Sequence, residues 1–313
     1  MKRRSRLPDF IIGGTEKAGT TSVFDWLAAH PDVGTSLRKE TDFFREQFTG
    51  DLALDARRYA ACFDPRAAEA QVLMEASPGY LGEARLVAPR MAELVPAVRM
   101  LFILRDPVVR FQSSYAFHYG RLNLPRDLGL ADYLRRCLAF DRGEASPAEL
   151  GLDEWFLKVL RFGCYAELIG VYLAELPDAQ IKVMFFEDLR QDPRAFMREL
   201  SAFLAIDPAY WTDFRFRASN ATFAGRNEWL HRIALRTNMA LEPLLRRAPV
   251  VKRSMLQVYK AVNQSTAGHG PLPAEVRDQL DAYYRPTLQQ LPRLLGRELP
   301  EAWLRRDAGR IAA

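Results

Sequence analysis

Four short apolar runs stand out along the chain: Phe10-Ile-Ile12, Val72-Leu-Met74, Met100–Leu104 and Ile181–Phe186. Each is rich in β-branched or large apolar residues and too short for a buried helix, so each predicts a strand. Between them the apolar positions change to helical spacing, in Val23, Phe24, Leu27 and Ala28, in Ala84–Leu94, in Leu168, Ile169, Tyr172, Leu173 and Leu176, and in Val276, Leu280, Tyr283, Tyr284 and Leu288. Buried strands alternating with core-facing helices predict an α/β fold, a central parallel sheet flanked by helices on both faces. Pro and Gly are spread along the chain and no segment repeats. A single domain over residues 1–313 is therefore expected, with its core at about 8–210, a basic helical region at about 226–260 and a C-terminal helix at about 273–292 packed on it.

Composition narrows the class. At 49% hydrophobic and 27% charged the 313 residues are neither disordered nor fibrous. No apolar run approaches the roughly 18–20 residues of a bilayer helix. The start, Met1-Lys-Arg-Arg-Ser-Arg6, has the charge of a signal peptide, but Leu7–Ile12 is too short for its apolar region, and a cytoplasmic start is expected. The three cysteines, Cys62, Cys137 and Cys164, lack the spacing of metal ligands, so no metal site is expected. A net charge of +5 suits an anionic ligand and gives no particular reason for nucleic acid. Between Arg226 and Lys260, eight basic residues oppose only Glu228 and Glu242; this is a solvated helical face or a docking surface for an acidic or membrane-associated acceptor.

The segment Gly14-Thr-Glu-Lys-Ala-Gly19-Thr-Thr-Ser22 follows the first strand and leads into the first helix. Free N–H groups and the helix dipole make that junction a place for an anion. The nucleoside-triphosphate loop requires lysine directly after its second glycine, whereas here Thr20 stands after Gly19 and Lys17 lies within the loop. Lys17 can reach the far end of a phosphate chain, with Thr20, Thr21 and Ser22 as hydroxyl donors. Without an acidic strand end to hold Mg²⁺, the site suits an anhydride whose transfer needs no metal. The same residues also read as a helix N-cap with an exposed lysine.

The strand Met100–Leu104 runs into Arg105-Asp-Pro-Val-Val-Arg-Phe-Gln-Ser113. Arg105 therefore stands at the carboxyl end of a strand, where open α/β sheets bind ligands, and Pro107 suits a first helical turn. Arg105 can fork onto a phosphate with Ser113 adding a bond two turns on, or it can pair with Asp106.

Together, Glu16-Lys-Ala-Gly-Thr-Thr-Ser22 and Ile103-Leu-Arg-Asp-Pro107 through Ser113 resemble the sulfotransferases that use 3′-phosphoadenosine 5′-phosphosulfate (PAPS), in particular the heparan-sulfate-type branch and its bacterial relatives. The resemblance covers most of the chain and implies a single P-loop-like domain that moves the sulfuryl group of PAPS in line to a hydroxyl or amine of a small-molecule, glycan or lipid-linked acceptor, without metal. It implies that Lys17, Ala18, Gly19, Thr20, Thr21 and Ser22 bind the 5′-phosphosulfate and that Arg105 and Ser113 bind the 3′-phosphate. Lys39-Glu-Thr-Asp-Phe-Phe44 is similar to the segment carrying the acceptor-activating glutamate, which gives Glu40 the role of catalytic base beside Lys17; base chemistry expects it buried against its acceptor, and a surface glutamate is the other reading. Glu75-Ala-Ser-Pro-Gly-Tyr80 and Ile181–Ile206 also resemble family segments. Two positions depart: Ala76 replaces a common lysine, and Asp42 a histidine two residues after the base. Among the histidines only His118 falls near this cleft, and Phe43-Phe44 reads as core. A P-loop kinase accounts for the loop alone, and a non-catalytic protein binding PAP (the desulfated product) or polyanions for the basic stretch alone.

Overall fold

The computed structural model describes residues 6–217 and 272–304, together with the short pair Ala224–Gly225 and Gln264–Ser265. The basic stretch 226–260 lies outside the described residues.

The four expected strands are present as β1 (Phe10–Gly14), β3 (Val72–Ala76), β4 (Arg99–Leu104) and β5 (Ile181–Phe185). A fifth, β2 (Val33–Thr35), has only three residues and offers too little pattern to be read from sequence. The sheet is parallel throughout, in the order β2-β3-β1-β4-β5. β1 is therefore central, and its five residues are all buried. Its alternation splits the core: Ile11 joins Met100, Phe102, Ala84, Val87 and Ile169 on one face, and Phe10 and Ile12 join Leu101, Ile103, Val23, Leu27 and Met197 on the other. Helices cover both faces, which is the α/β architecture expected of the pattern.

The helix after the glycine loop is Thr20–Leu27 and the next predicted one is Ala84–Leu94. The helix expected around Leu168–Leu176 runs Tyr165–Glu175, so Leu176 falls just past its end. The C-terminal helix extends to Leu295 through Pro286 and Pro292. Its burial outweighs the lost backbone bonds: Val276, Leu280 and Tyr284 pack with Val108, Phe111 and Tyr133 behind the Pro107–Gly120 helix, and Leu291 enters the main core. Thr287 Oγ1 accepts from Ala166 N–H at 2.9 Å, and Tyr284 Oη donates to Leu160 O at 2.8 Å. Phe43 and Phe44 are fully buried, as their pattern suggested. All three cysteines are free thiols.

Candidate functional site at the carboxyl end of the sheet

β1 hands the chain to the glycine loop at the centre of the sheet, between the ends of β3 and β4. Thr15 N–H donates to Ile103 O of β4 at 2.9 Å, fastening the loop to the adjacent strand. The chain then turns through two left-handed residues, Lys17 at φ 69° and Gly19 at φ 81°. At Gly19 the turn needs glycine twice over, because an added Cβ would stand 2.8 Å from Leu189 Cδ2 and 3.1 Å from the Phe186 ring. Gly19 is the N-cap of Thr20–Leu27 and supplies no side-chain acceptor. The first-turn N–H groups therefore receive no side-chain cap from that position. Thr20 and Ser22 are buried along the base of the loop, and Ala18 is sealed in the core.

Arg105 emerges where β4 ends. Its Nη1 donates to the Lys17 carbonyl at 2.9 Å, its guanidinium lies 4.8 Å from the Phe186 ring centroid, and Tyr165 Oη donates to its carbonyl at 2.7 Å. The loop and the strand end are thus one assembly. Asp106 is the N-cap of Pro107–Gly120, its carboxylate accepting from Val108 and Val109 N–H. Ser113 lies two turns along that helix, half-buried, and makes no side-chain hydrogen bond among the described residues.

Several cations lie close together here. Lys17 Nζ sits 3.7 Å from the Phe117 ring centroid, and Arg121, at the end of the same helix, lies 4.8 Å from that ring. Burial, and after it the charges of Arg105 and Arg121, press the Lys17 ammonium down from its ordinary 10.5 to about 8, against the opposing pull of Glu16 and Glu40. Burial lowers Arg105 as well, Glu187 opposing and Arg190 and Arg110 adding to the effect. Lys17 thus carries its charge at a penalty beside Arg105 and Arg121, an environment suited to a multiply charged anion. Such a ligand would reverse the sign of the repulsion.

Beneath the loop lies a second charged layer that the sequence reading did not foresee. Glu16 Oε1 is 3.3 Å from His118 Nε2, and Glu16 Oε2 is sealed from solvent. Burial pushes the Glu16 carboxyl up, but the close approach of His118 and the charges of Arg110 and Lys17 more than offset it, leaving it below its ordinary 4.5. Arg110 is fully buried and donates through Nη2 to Val159 O. Neither Glu16 nor Arg110 had a signal beyond its place in a motif, and Arg121 had none.

Glu40 departs from expectation. Its side chain is 55% exposed rather than buried, and Lys39 Nζ stands 2.6 Å from its Oε1. It is exposed because it sits on a sharp left-handed turn (φ 63°), held by Glu40 N–H to Ala76 O at 2.8 Å, at the solvent edge of β3. The buried carboxylate of this region is Glu75, at the end of β3, which accepts from Tyr59 Oη at 2.8 Å, from Ser77 Oγ at 3.1 Å and from Thr41 Oγ1. Burial pushes the Glu75 carboxyl above its usual range. Asp42 turns away to pair with Arg45 Nη1 at 2.9 Å. Glu40 nonetheless lies close enough to act electrostatically on Lys17. Among the described residues no three His, Cys, Asp or Glu side chains gather as metal ligands, and no helix is long and apolar enough to cross a membrane.

Comparison with known proteins bears on the family and the fold. The family model described as "Sulfotransferase domain" matches residues 7–222. Human heparan sulfate glucosamine 3-O-sulfotransferase 6 is 29% identical over 203 residues, 65% of this chain and 54% of its own length. Human bifunctional heparan sulfate N-deacetylase/N-sulfotransferase 3 is 28% identical over 217 residues, 67% of this chain and 23% of its own. The chain thus spans about half or less of these curated relatives. The crystal structure of a sulfotransferase from Alicyclobacillus acidocaldarius matches at TM-score 0.64 and 25% identity, covering 96% of this chain and all of that one.

Proposed function

This chain belongs to the sulfotransferase-domain family, and from that premise we propose that it transfers the sulfuryl group of PAPS to a hydroxyl or amine of a glycan-type acceptor. The observation that carries the reading is the buried Lys17 of the glycine loop, whose charge is disfavoured by the nearby Arg105 and Arg121 and would be favoured by an anion. PAPS has the matching chemistry, a phosphosulfate and a separate 3′-phosphate.

In this reading Lys17 and the Gly19–Ser22 turn hold the 5′-phosphosulfate, and Arg105 with Ser113 holds the 3′-phosphate. Glu40 accepts the proton of the acceptor hydroxyl or amine as its oxygen or nitrogen bonds to sulfur. The bond from sulfur to the bridging phosphate oxygen breaks in the same displacement, and Lys17 compensates the negative charge that grows on that oxygen as PAP leaves. Because Glu40 is open to solvent, a bound acceptor must bury it before its carboxylate works efficiently as a base. The heparan sulfate specificity in the relatives' names supports a glycan acceptor, while Ala76 and Asp42, standing where that branch commonly has lysine and histidine, indicate a different arrangement of acceptor contacts.

The test is a thermal-shift comparison of PAP, ATP and ATP with Mg²⁺, followed by mass spectrometry of candidate acceptors incubated with PAPS. PAP at about a hundred times its Kd should add about 2.7 kcal/mol, and a sulfated product should appear. Stabilisation by ATP with Mg²⁺ but not by PAP would replace the reading with a kinase; binding of PAP without product from any acceptor class would leave a binding protein.

A further inference from the structure

The end of the Pro107–Gly120 helix meets the glycine loop in an unusually specific way. Two consecutive helix residues grip two consecutive loop residues: the Phe117 ring supports Lys17 Nζ at 3.7 Å, and His118 Nε2 stands 3.3 Å from Glu16 Oε1. His118 is itself fixed, with its Nδ1 3.3 Å from Asn123 Nδ2 and its ring 4.9 Å from that of Phe156. Glu16 keeps only 21% of its side chain exposed and His118 only 6%. Burial alone would disfavour this carboxylate, and His118, Arg110 and Lys17 are what hold it charged there.

We propose that Glu16, clamped by His118, is a positioning residue for the loop lysine: it anchors the left-handed corner at Lys17 and supplies the negative charge that keeps Lys17 an ammonium. The charged groups facing Lys17 are Glu16 from the loop, Arg105 from the end of β4, Arg121 from the helix end and Glu40 from the turn beside β3. Those facing Glu16 are His118 and Arg110 from the Pro107–Gly120 helix and Lys17 itself, with Tyr133 behind. Of the two carboxylates that favour the charged lysine, Glu16 acts more strongly than Glu40, which is the exposed one. Glu16 is therefore the main acid opposing Arg105 and Arg121 at Lys17. At about 8, the Lys17 midpoint lies close enough to neutrality for this difference to decide whether the loop is charged at working pH.

The importance of the clamp for transfer rests on the sulfotransferase reading, but its effect on Lys17 does not, and the experiment separates the two. The Lys17 titration is followed by NMR of ¹³C-lysine-labelled protein, the resonance identified through Lys17→Arg, in the wild type, Glu16→Gln and Glu16→Asp. Glu16→Gln should move the Lys17 midpoint down by about one pH unit or more, and Glu16→Asp should restore part of that shift. An unchanged midpoint in Glu16→Gln overturns the proposal whether or not the protein binds PAP. Should Glu16→Gln fail to fold, His118→Gln provides the second test, because losing the grip on the loop should raise the Kd for PAP by about tenfold while the acceptor KM stays put. Equal changes in both, or none in the Kd, would refute the clamp. Wild-type protein that ignores PAP but shows the Glu16-dependent titration would refute the sulfotransferase reading alone.

Discussion

Lys17 is held in the apo protein at a cost, and replacing it should make the fold more stable as it makes the site useless. Burial and the adjacent arginines bring its ammonium from 10.5 to about 8. At about 1.4 kcal/mol per pH unit that difference corresponds to about 3 kcal/mol of penalty for keeping the charge at neutral pH. Partial contact of the side chain with solvent reduces the figure to roughly 1–3 kcal/mol. Lys17→Met keeps the length and packing of the side chain on Phe117 and removes the charge. Its thermal midpoint at pH 7 should exceed the wild type's by a few degrees, at about 2–4 °C per kcal/mol for a chain of this size. The sign of the pH dependence is fixed by linkage. Because the folded-state value lies below the unfolded one, the unfolded chain binds more protons between about pH 8 and 10.5, so wild-type stability rises across that window. The advantage of Lys17→Met should be complete below pH 8 and gone near 10.5. Differential scanning calorimetry of both proteins at pH 7 and 10 reads this directly, and added PAP should reverse the order by stabilising only the wild type. A variant less stable than wild type at pH 7, or a difference that ignores pH, would show that Lys17 is not electrostatically strained and would remove the main support for the anion site.

Arg105→Ala should weaken PAP by roughly 10–100-fold, the worth of a charge-assisted hydrogen bond, and adenosine 5′-phosphosulfate far less, since that ligand lacks the 3′-phosphate; isothermal titration with both separates a phosphate clamp from a structural role. Glu40→Gln should lower kcat by about 10²–10⁴-fold with PAP affinity unchanged, whereas full turnover would move the base elsewhere. Gly19→Ala must place a Cβ against Leu189 and Phe186 at positive φ and should cost about 1 kcal/mol or more in chemical denaturation, together with loss of PAP binding; a stable, binding-competent variant would mean the turn is adaptable.

Much of this molecule was determined by local sequence. Short apolar runs set four strands, because a residue that must be buried on both faces of a parallel sheet leaves no room for polar alternation, and helical periodicity set the helices between them. The glycine loop, its displaced lysine and the arginine at the end of β4 were legible because a left-handed turn, a helix N-terminus and a strand end each constrain residues close in sequence. What only the tertiary structure decided were the relations across the chain. The three-residue β2 exists because β3 supplies its hydrogen-bond partners. The C-terminal helix continues through two prolines because its buried face outweighs their lost bonds. Glu40 is exposed because Ala76 O catches its backbone at the rim of the sheet. Glu16 acquires His118, and Lys17 acquires Arg105 and Arg121, from segments about 90 to 100 positions away in the chain. Periodicity reports which face of an element is buried, but the charge a buried group feels depends on which other elements the fold brings within a few ångströms, and that information resides in the packing.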